Sequence, residues 1–168
     1  MTTGRHLAPL IRETIRIALL EDLGQGDVTS LRVIAGDRSA RAAIRAKEDF
    51  ILAGMPFVTE VFSVLDPDVF VVTGPAEGVS VVKGDIVAEV SGRAWSLLAG
   101  ERTALNILQR VSGVATLTRL FVDKVSGLPA RIADTRKTTP CMRYMEKYGV
   151  VVGGGINHRF GLSDGILI

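Results

Sequence analysis

The sequence predicts an α/β fold, and three observations predict it. Apolar residues recur at helical spacing in four separate stretches, and valine- and isoleucine-rich segments punctuated by glycine lie between them. The last third reads as a strand, a basic turn, a helix, a glycine loop and a further apolar run. A strand followed by a helix and a second strand makes one βα unit, whose functional groups usually sit at the carboxyl ends of its strands.

Taken in order, Leu7, Leu10, Ile11, Ile15, Ala18 and Leu19 fall three and four apart, the period of an amphipathic helix, and Gly24 stops it. EDLGQGDVTS, 21–30, reads as a polar turn that Asp27 or Thr29 would brace through side-chain to backbone hydrogen bonds. Residues 39–53 alternate well enough for two short strands, the second broken by Gly54. Over 55–66, Pro56 sits where a first helical turn tolerates it, and Val58, Val61, Phe62 and Leu65 share one face of a packed helix. Residues 68–94 are β-rich, with turns at Gly74-Pro75, Glu77-Gly78 and Lys83-Gly84-Asp85. That piece has a superficial likeness to a lipoyl or biotinyl carrier domain, but Lys83 precedes Gly-Asp in an ordinary hairpin turn. Residues 95–127 predict two packed helices joined near Ser112-Gly113, ended by Leu128-Pro129. A short apolar strand then runs from 130 into the basic turn, a helix covers 142–151, glycines 153–155 form a close-approach loop, and GILI at the end reads as a buried strand.

Composition narrows the function classes. The chain has 168 residues, enough for one domain with a core or a small domain plus part of another, and its net charge of +2 gives no general drive toward nucleic acid or membrane. Any basic site is therefore local. The single cysteine, Cys141, excludes an internal disulfide framework, and its first reading is a small packed side chain and not a nucleophile. Glu13, Glu21 and Asp22 near the N-terminus argue against a transit peptide, and the longest apolar run there is too short for a signal or spanning segment. A soluble, cytoplasmic protein is expected.

The chemistry concentrates in DTRKTTP, 134–140, and GGGINHRFGLSDGILI, 153–168. These stretches place Arg136, Lys137, His158 and Arg159 around short strands and glycine turns, which suits a small, multiply anionic ligand. Each guanidinium can grip a carboxylate or phosphate through two parallel N–H···O bonds, and a lysine adds a compact point charge. Thr135 and Thr138 offer hydroxyls or backbone N–H groups beside them. Two distant histidines and one cysteine make no zinc site, and no Ser-His-Asp or Cys-His arrangement is evident.

With EDLGQGDVTS, the AGMPFVTEVF region, ERTALNILQRVSGVATLT, DTRKTTP, MEKYGVVVGGGINHR and GLSDGILI, the chain resembles the quinolinate phosphoribosyltransferase family nearly end to end. DTRKTTP combined with GGGxNHRxGL is the specific part. The resemblance implies an N-terminal α/β open-faced sandwich over 1–112, including the helix that leads onward, and the first part of an incomplete α/β barrel over 113–168. It also implies a head-to-tail homodimer, or a higher oligomer, in which Arg102 of ERTALN crosses into the partner's site. Read without it, Arg102 is a surface arginine beside Glu101. The implied reaction transfers phosphoribosyl from phosphoribosyl pyrophosphate, with Mg2+, to the ring nitrogen of quinolinate in NAD biosynthesis. Loss of the 2-carboxylate then gives nicotinate mononucleotide, pyrophosphate and carbon dioxide. Arg136, Arg159 and His158 would hold the dicarboxylate, Arg102, Thr135 and Thr138 would add to substrate binding, and Lys137, the catalytic candidate, would contact phosphate.

The sequence departs from the family pattern in three ways. A closed eight-stranded barrel takes about 250 residues, and 39 follow Pro129, so the chain is expected to reach only the second barrel strand. In the family a Lys-Asp-Asn-His segment and acidic residues for the metal come later, so Mg2+ would have no protein ligands here and the chain alone is expected to be inactive. Cys141 stands where the family commonly has glycine, and Gly149 where alanine is usual. Two other readings compete: a related fold with another acceptor, as in nicotinate phosphoribosyltransferase or a molybdenum-transport-associated relative, and a non-catalytic dimerising remnant.

Overall fold

The structure, a computed structural model, describes residues 4–34 and 38–165. The predicted first helix is α1 (Gly4–Leu23), which buries Ile15 and Leu19. The polar turn after it is braced as expected: Asp27 Oδ1 accepts from Thr29 N at 3.1 Å and Ser30 N at 2.9 Å. Those bonds cap a short helix, α2 (Val28–Val33), where only a loop was read, because two captured N–H groups are enough to start a turn. The two strands expected over 39–53 are β1 (Ser39–Arg45) and β2 (Phe50–Ile51). Gly54 holds φ +112°, a conformation β-carbon-bearing residues rarely adopt, and from it the chain turns directly into α3 (Met55–Leu65).

The β-rich stretch supplies β3 (Phe70–Thr73), β4 (Ser80–Val81) and β5 (Ile86–Arg93). Three strands make one antiparallel sheet in the order β1-β5-β3, and β2 pairs with β4 separately. In β5, Ala88 and Val90 are buried while Glu89 between them is exposed, so the sheet presents one face to the core and leaves Phe70 and Val72 of β3 open on the other. The core is built from that inner face, α1, α3 and the long helix α4 (Ala94–Lys124), around Val58, Val61, Phe62, Ala104, Leu108, Val111 and Ala115.

Helix α4 corrects the sequence reading: it runs unbroken through Ser112-Gly113, where two helices were expected. The interruption fails because neighbouring side chains anchor that turn to another element. Ser112 Oγ accepts from Ala53 N at 3.1 Å and donates to Ala53 O at 2.9 Å, and Thr116 Oγ1 accepts from Ile51 N at 2.9 Å. Val111 and Ala115 are fully buried on the same stretch. A mid-helix glycine costs about 1 kcal/mol, which this packing outweighs. The start of α4 is tied to the end of α3 by Asp66, whose Oδ2 accepts from Arg93 Nε at 2.9 Å and Ser96 Oγ at 2.5 Å.

The strand expected from 130 is reduced to a single parallel bridge, Ala133 to Ile156, on either side of α5 (Arg143–Val152). The sequence Asp134-Thr-Arg-Lys-Thr-Thr-Pro leaves the extended pairing as soon as Asp134 is drawn into the interior, so the ladder stops after one residue pair. The class is α/β, with an open, unclosed sheet followed by a parallel bridge–helix–bridge step, consistent with an incomplete α/β barrel. Ile166–Ile168 of the GILI run lie outside the described residues.

The turn entering α5 carries a testable strain. Met142 N donates to Thr139 O at 3.1 Å, and Cys141 has φ +65° behind Pro140. Proline second and a positive φ third is the type II turn pattern, in which glycine belongs at the third position. An L-residue there costs about 1–2 kcal/mol, partly offset by the extra unfolded-state entropy of glycine, about 0.4–1 kcal/mol. Cys141→Gly is therefore expected to stabilise the fold by roughly 1 kcal/mol, read as a higher midpoint in urea denaturation.

Candidate functional site

The site is assembled by α5 and the loops on either side of it. At the bridge, Ile156 N donates to Ile132 O at 2.9 Å and Asp134 N donates to Ile156 O at 3.1 Å, so residues 134–136 leave alongside 157–159. Gly153 lets this unit sit against α4: a β-carbon there would lie 2.5 Å from Ala115 O, so no larger residue fits without moving the helices apart.

Beneath the loops lies a buried ion pair. Lys147 Nζ contacts Asp134 Oδ1, with side chains only 3% and 6% exposed. The pair holds the backbone of His158 on both sides: Asp134 Oδ1 accepts from His158 N at 2.8 Å, and Lys147 Nζ donates to His158 O at 3.0 Å. With its amide in the orientation that satisfies its neighbours, Asn157 donates to Asp134 Oδ2 at 2.6 Å and Lys147 O at 3.0 Å.

The rest of α5 points the same way. Arg143 donates from Nε to Thr138 Oγ1 at 3.1 Å, from Nη1 to Phe160 O at 3.2 Å and, more loosely, from Nη2 to Arg136 O at 3.4 Å, so one guanidinium spans both loops. Glu146 accepts from Arg110 of α4 at 2.6 Å and from Thr139 Oγ1 at 2.7 Å. Burial pushes the Glu146 carboxyl up, but bonds from Thr139 and Arg110 together outweigh it and hold it below its ordinary value. Tyr148 donates to Glu77 Oε2 at 2.8 Å, and Glu77 also accepts from Gly54 N and Met55 N at 2.8 Å each, so α5 is tied to the start of α3. Burial, then Glu77, raise the Tyr148 phenol.

Of the residues singled out in the sequence, the structure brings Arg136, Lys137, His158 and Arg159 onto adjacent loops. Lys137 and His158 are exposed, Arg136 and Arg159 half-buried. Arg136 Nε is buried and makes no hydrogen bond among the described residues, which leaves a donor uncommitted at the heart of the basic patch. Asp134 and Glu146 are engaged by Lys147 and Arg110, while Asp164 Oδ2 accepts from Phe160 N at 2.7 Å beside Arg159. Thr135 Oγ1 accepts from Lys137 N at 3.0 Å, shaping the turn, and Thr138 is held by Arg143. Arg102 is exposed and makes no ion pair among the described residues. It precedes Arg110 by eight residues on α4, about 12 Å along the axis, and so is not gathered into this cluster within its own chain.

Family comparison settles what this scaffold is. Residues 27–112 match the quinolinate phosphoribosyl transferase N-terminal domain and residues 114–168 match the C-terminal domain of the same family. The chain belongs to the quinolinate phosphoribosyl transferase family. It is 46% identical over 158 residues to the probable nicotinate-nucleotide pyrophosphorylase [carboxylating] of Bacillus subtilis, covering 94% of this chain and 54% of that one. It is 43% identical over 159 residues to the chloroplastic nicotinate-nucleotide pyrophosphorylase of Arabidopsis thaliana, covering 94% and 45%. Among solved structures, NadC from Streptococcus pyogenes superposes with a TM-score of 0.89 at 40% identity, over 93% of this chain and 55% of that one. Nicotinate-nucleotide pyrophosphorylase from Ehrlichia chaffeensis superposes with a TM-score of 0.87 at 37% identity, over 100% and 59%. The chain spans about half the length of the curated relatives it matches. The boundary between the two family domains falls inside the continuous helix α4.

Sequence reasoning missed Asp134, Arg143, Glu146, Lys147, Asn157 and Arg110 as parts of this site. The signal was weak: Arg143 and Lys147 stand four apart on a helix, which ordinarily marks a solvated face. Among the described residues no helix is long and apolar enough to cross a membrane.

Proposed function

We propose that this chain carries the acceptor-binding half of a quinolinate phosphoribosyltransferase site, in a protein that makes nicotinate mononucleotide from quinolinate and phosphoribosyl pyrophosphate. The observation that carries the reading is the pairing of Arg136-Lys137 with His158-Arg159 on adjacent loops, with Asp134 and Glu146 already engaged by Lys147 and Arg110. Quinolinate is a planar dianion, and two guanidinium forks suit its two carboxylates while the imidazole adds a hydrogen bond. The ring nitrogen is itself the nucleophile at the ribose carbon, and the bond to pyrophosphate breaks as the new C–N bond forms. The residues therefore have to position the acceptor and neutralise charge, without needing a general base. Lys137, exposed at the loop tip, is assigned to phosphate, and Thr135 and Thr138 to the shape and donors of that loop. After transfer the pyridinium nitrogen stabilises the carbanion left as the 2-carboxylate departs as carbon dioxide.

Arg102 is assigned to the site of a partner subunit in a homodimer. Its exposure and its lack of an ion pair among the described residues support that placement. Mg2+ would come with the pyrophosphate. Asp134 and Glu146 are engaged by Lys147 and Arg110 and are not offered to it. The proposal places the protein in the cytoplasm, in keeping with its single cysteine.

Calorimetric titration of the purified chain with quinolinate tests the reading. Binding is expected, with Arg136→Ala and Arg159→Ala each weakening it by at least tenfold, and with nicotinate, which lacks the 2-carboxylate, binding far less. Equal affinity for nicotinate would favour a different acceptor and overturn the assignment of both arginines.

A further inference from the structure

The Asp134–Lys147 pair needs an explanation beyond stability. A buried ion pair loses much of its Coulombic gain to desolvation, and an apolar pair of similar volume often folds as well or better. An apolar pair would lack the three further side-chain bonds made here: His158 N to Asp134 Oδ1, Lys147 Nζ to His158 O, and the Asn157 amide to Asp134 Oδ2. Asp134 lies two residues before Arg136 in one loop, while Asn157 and His158 directly precede Arg159 in the other. The pair thus fixes the point where the two halves of the basic patch meet.

We propose that Asp134 and Lys147 are positioning residues for the anion site: they set the spacing of Arg136 and Arg159 by holding the His158 backbone, and neither touches the ligand. The proposal rests on the dicarboxylate reading above for its ligand but not for its geometry. A guanidinium displaced by about 1 Å loses bidentate alignment, and misplacements of that size cost on the order of 100-fold in function. The rest of α5 supports the same assignment. Arg143 holds the Arg136 and Phe160 carbonyls, and Glu146 and Tyr148 tie the helix to α4 and to the start of α3, so Lys147 acts from a fixed base.

The test compares the wild-type chain with Lys147→Met and with Asp134→Leu/Lys147→Met, in which no charge is left buried alone. For each, urea denaturation, amide hydrogen exchange by NMR and quinolinate titration are measured. The double variant is expected to fold with near wild-type stability, while His158 N–H protection falls at least tenfold relative to core amides such as those of Ala104 and Leu108. Quinolinate affinity is expected to fall at least tenfold with it. A double variant that keeps His158 protection, or keeps affinity once protection is lost, would overturn the proposal. So would one that fails to fold, since the pair would then be a requirement of the fold and not of the site. If wild type does not bind quinolinate, the functional reading fails for this chain, and the exchange comparison alone decides the positioning role.

Discussion

Lys147→Met alone is expected to lower the unfolding free energy by about 3–5 kcal/mol, the usual cost of removing one partner from a buried pair. The remaining carboxylate, Asp134, is 6% exposed and would keep only N–H donors from His158 and Asn157. The magnitude reflects the uncompensated charge more than the net worth of the pair. Adding Asp134→Leu should therefore recover most of the loss, so that the double variant is more stable than Lys147→Met. Urea denaturation of the four members of the cycle, at one pH and salt, measures this directly. Two losses that simply add would show that the charges are not coupled.

Asp66→Ala is expected to cost about 2–3 kcal/mol, because it strands the fully buried Ser96 hydroxyl and removes the carboxylate that joins α3 to α4. The loss should depend on pH. Hydrogen bonds from Arg93 and then Ser96 lower the Asp66 carboxyl to about 2 from its ordinary 3.8. A carboxyl with a depressed folded-state value contributes its stability above the ordinary value and loses it as pH falls through the folded one. That part of the effect is present above about pH 4 and disappears toward pH 2, and it is worth about 1–2 kcal/mol after allowing for solvent screening at Arg93, which is 56% exposed. Unfolding of wild type and Asp66→Ala at pH 7, 4 and 2.5 should show the gap narrowing on the acid side. A gap that stayed constant would assign the whole effect to packing.

Much of the fold was legible because its signals are local. The spacing from Leu7 to Leu19, proline at the start of α3 and the valine-rich strands bounded by glycine turns needed no tertiary context. The Asp27 brace was visible for the same reason, since its two acceptor bonds span only three residues. The polar cluster beneath the loops was not legible. Charged residues on a helix ordinarily mark a solvated face, yet Glu146 and Lys147 are buried, because Asp134 and Thr139 from the preceding loop and Arg110 from α4 converge on them. The misread break at Ser112-Gly113 has a similar origin. Serine and glycine weaken a helix in isolation, but Ser112 is bound to both backbone groups of Ala53, fifty-nine residues away.

By itself the sequence determined the α/β class, most of the helices and strands, and the two basic stretches with Arg136, Lys137, His158 and Arg159, all of which depend on residue type and short-range spacing. Only the tertiary structure decided that α4 is one helix, that the predicted strand shrinks to the Ala133–Ile156 bridge, and that a buried Asp134–Lys147 pair holds the basic loops together. The reason is physical. Periodicity fixes which face of an element is apolar, whereas the burial of a charge is decided by whether folding brings it a partner, and here each partner comes from another element.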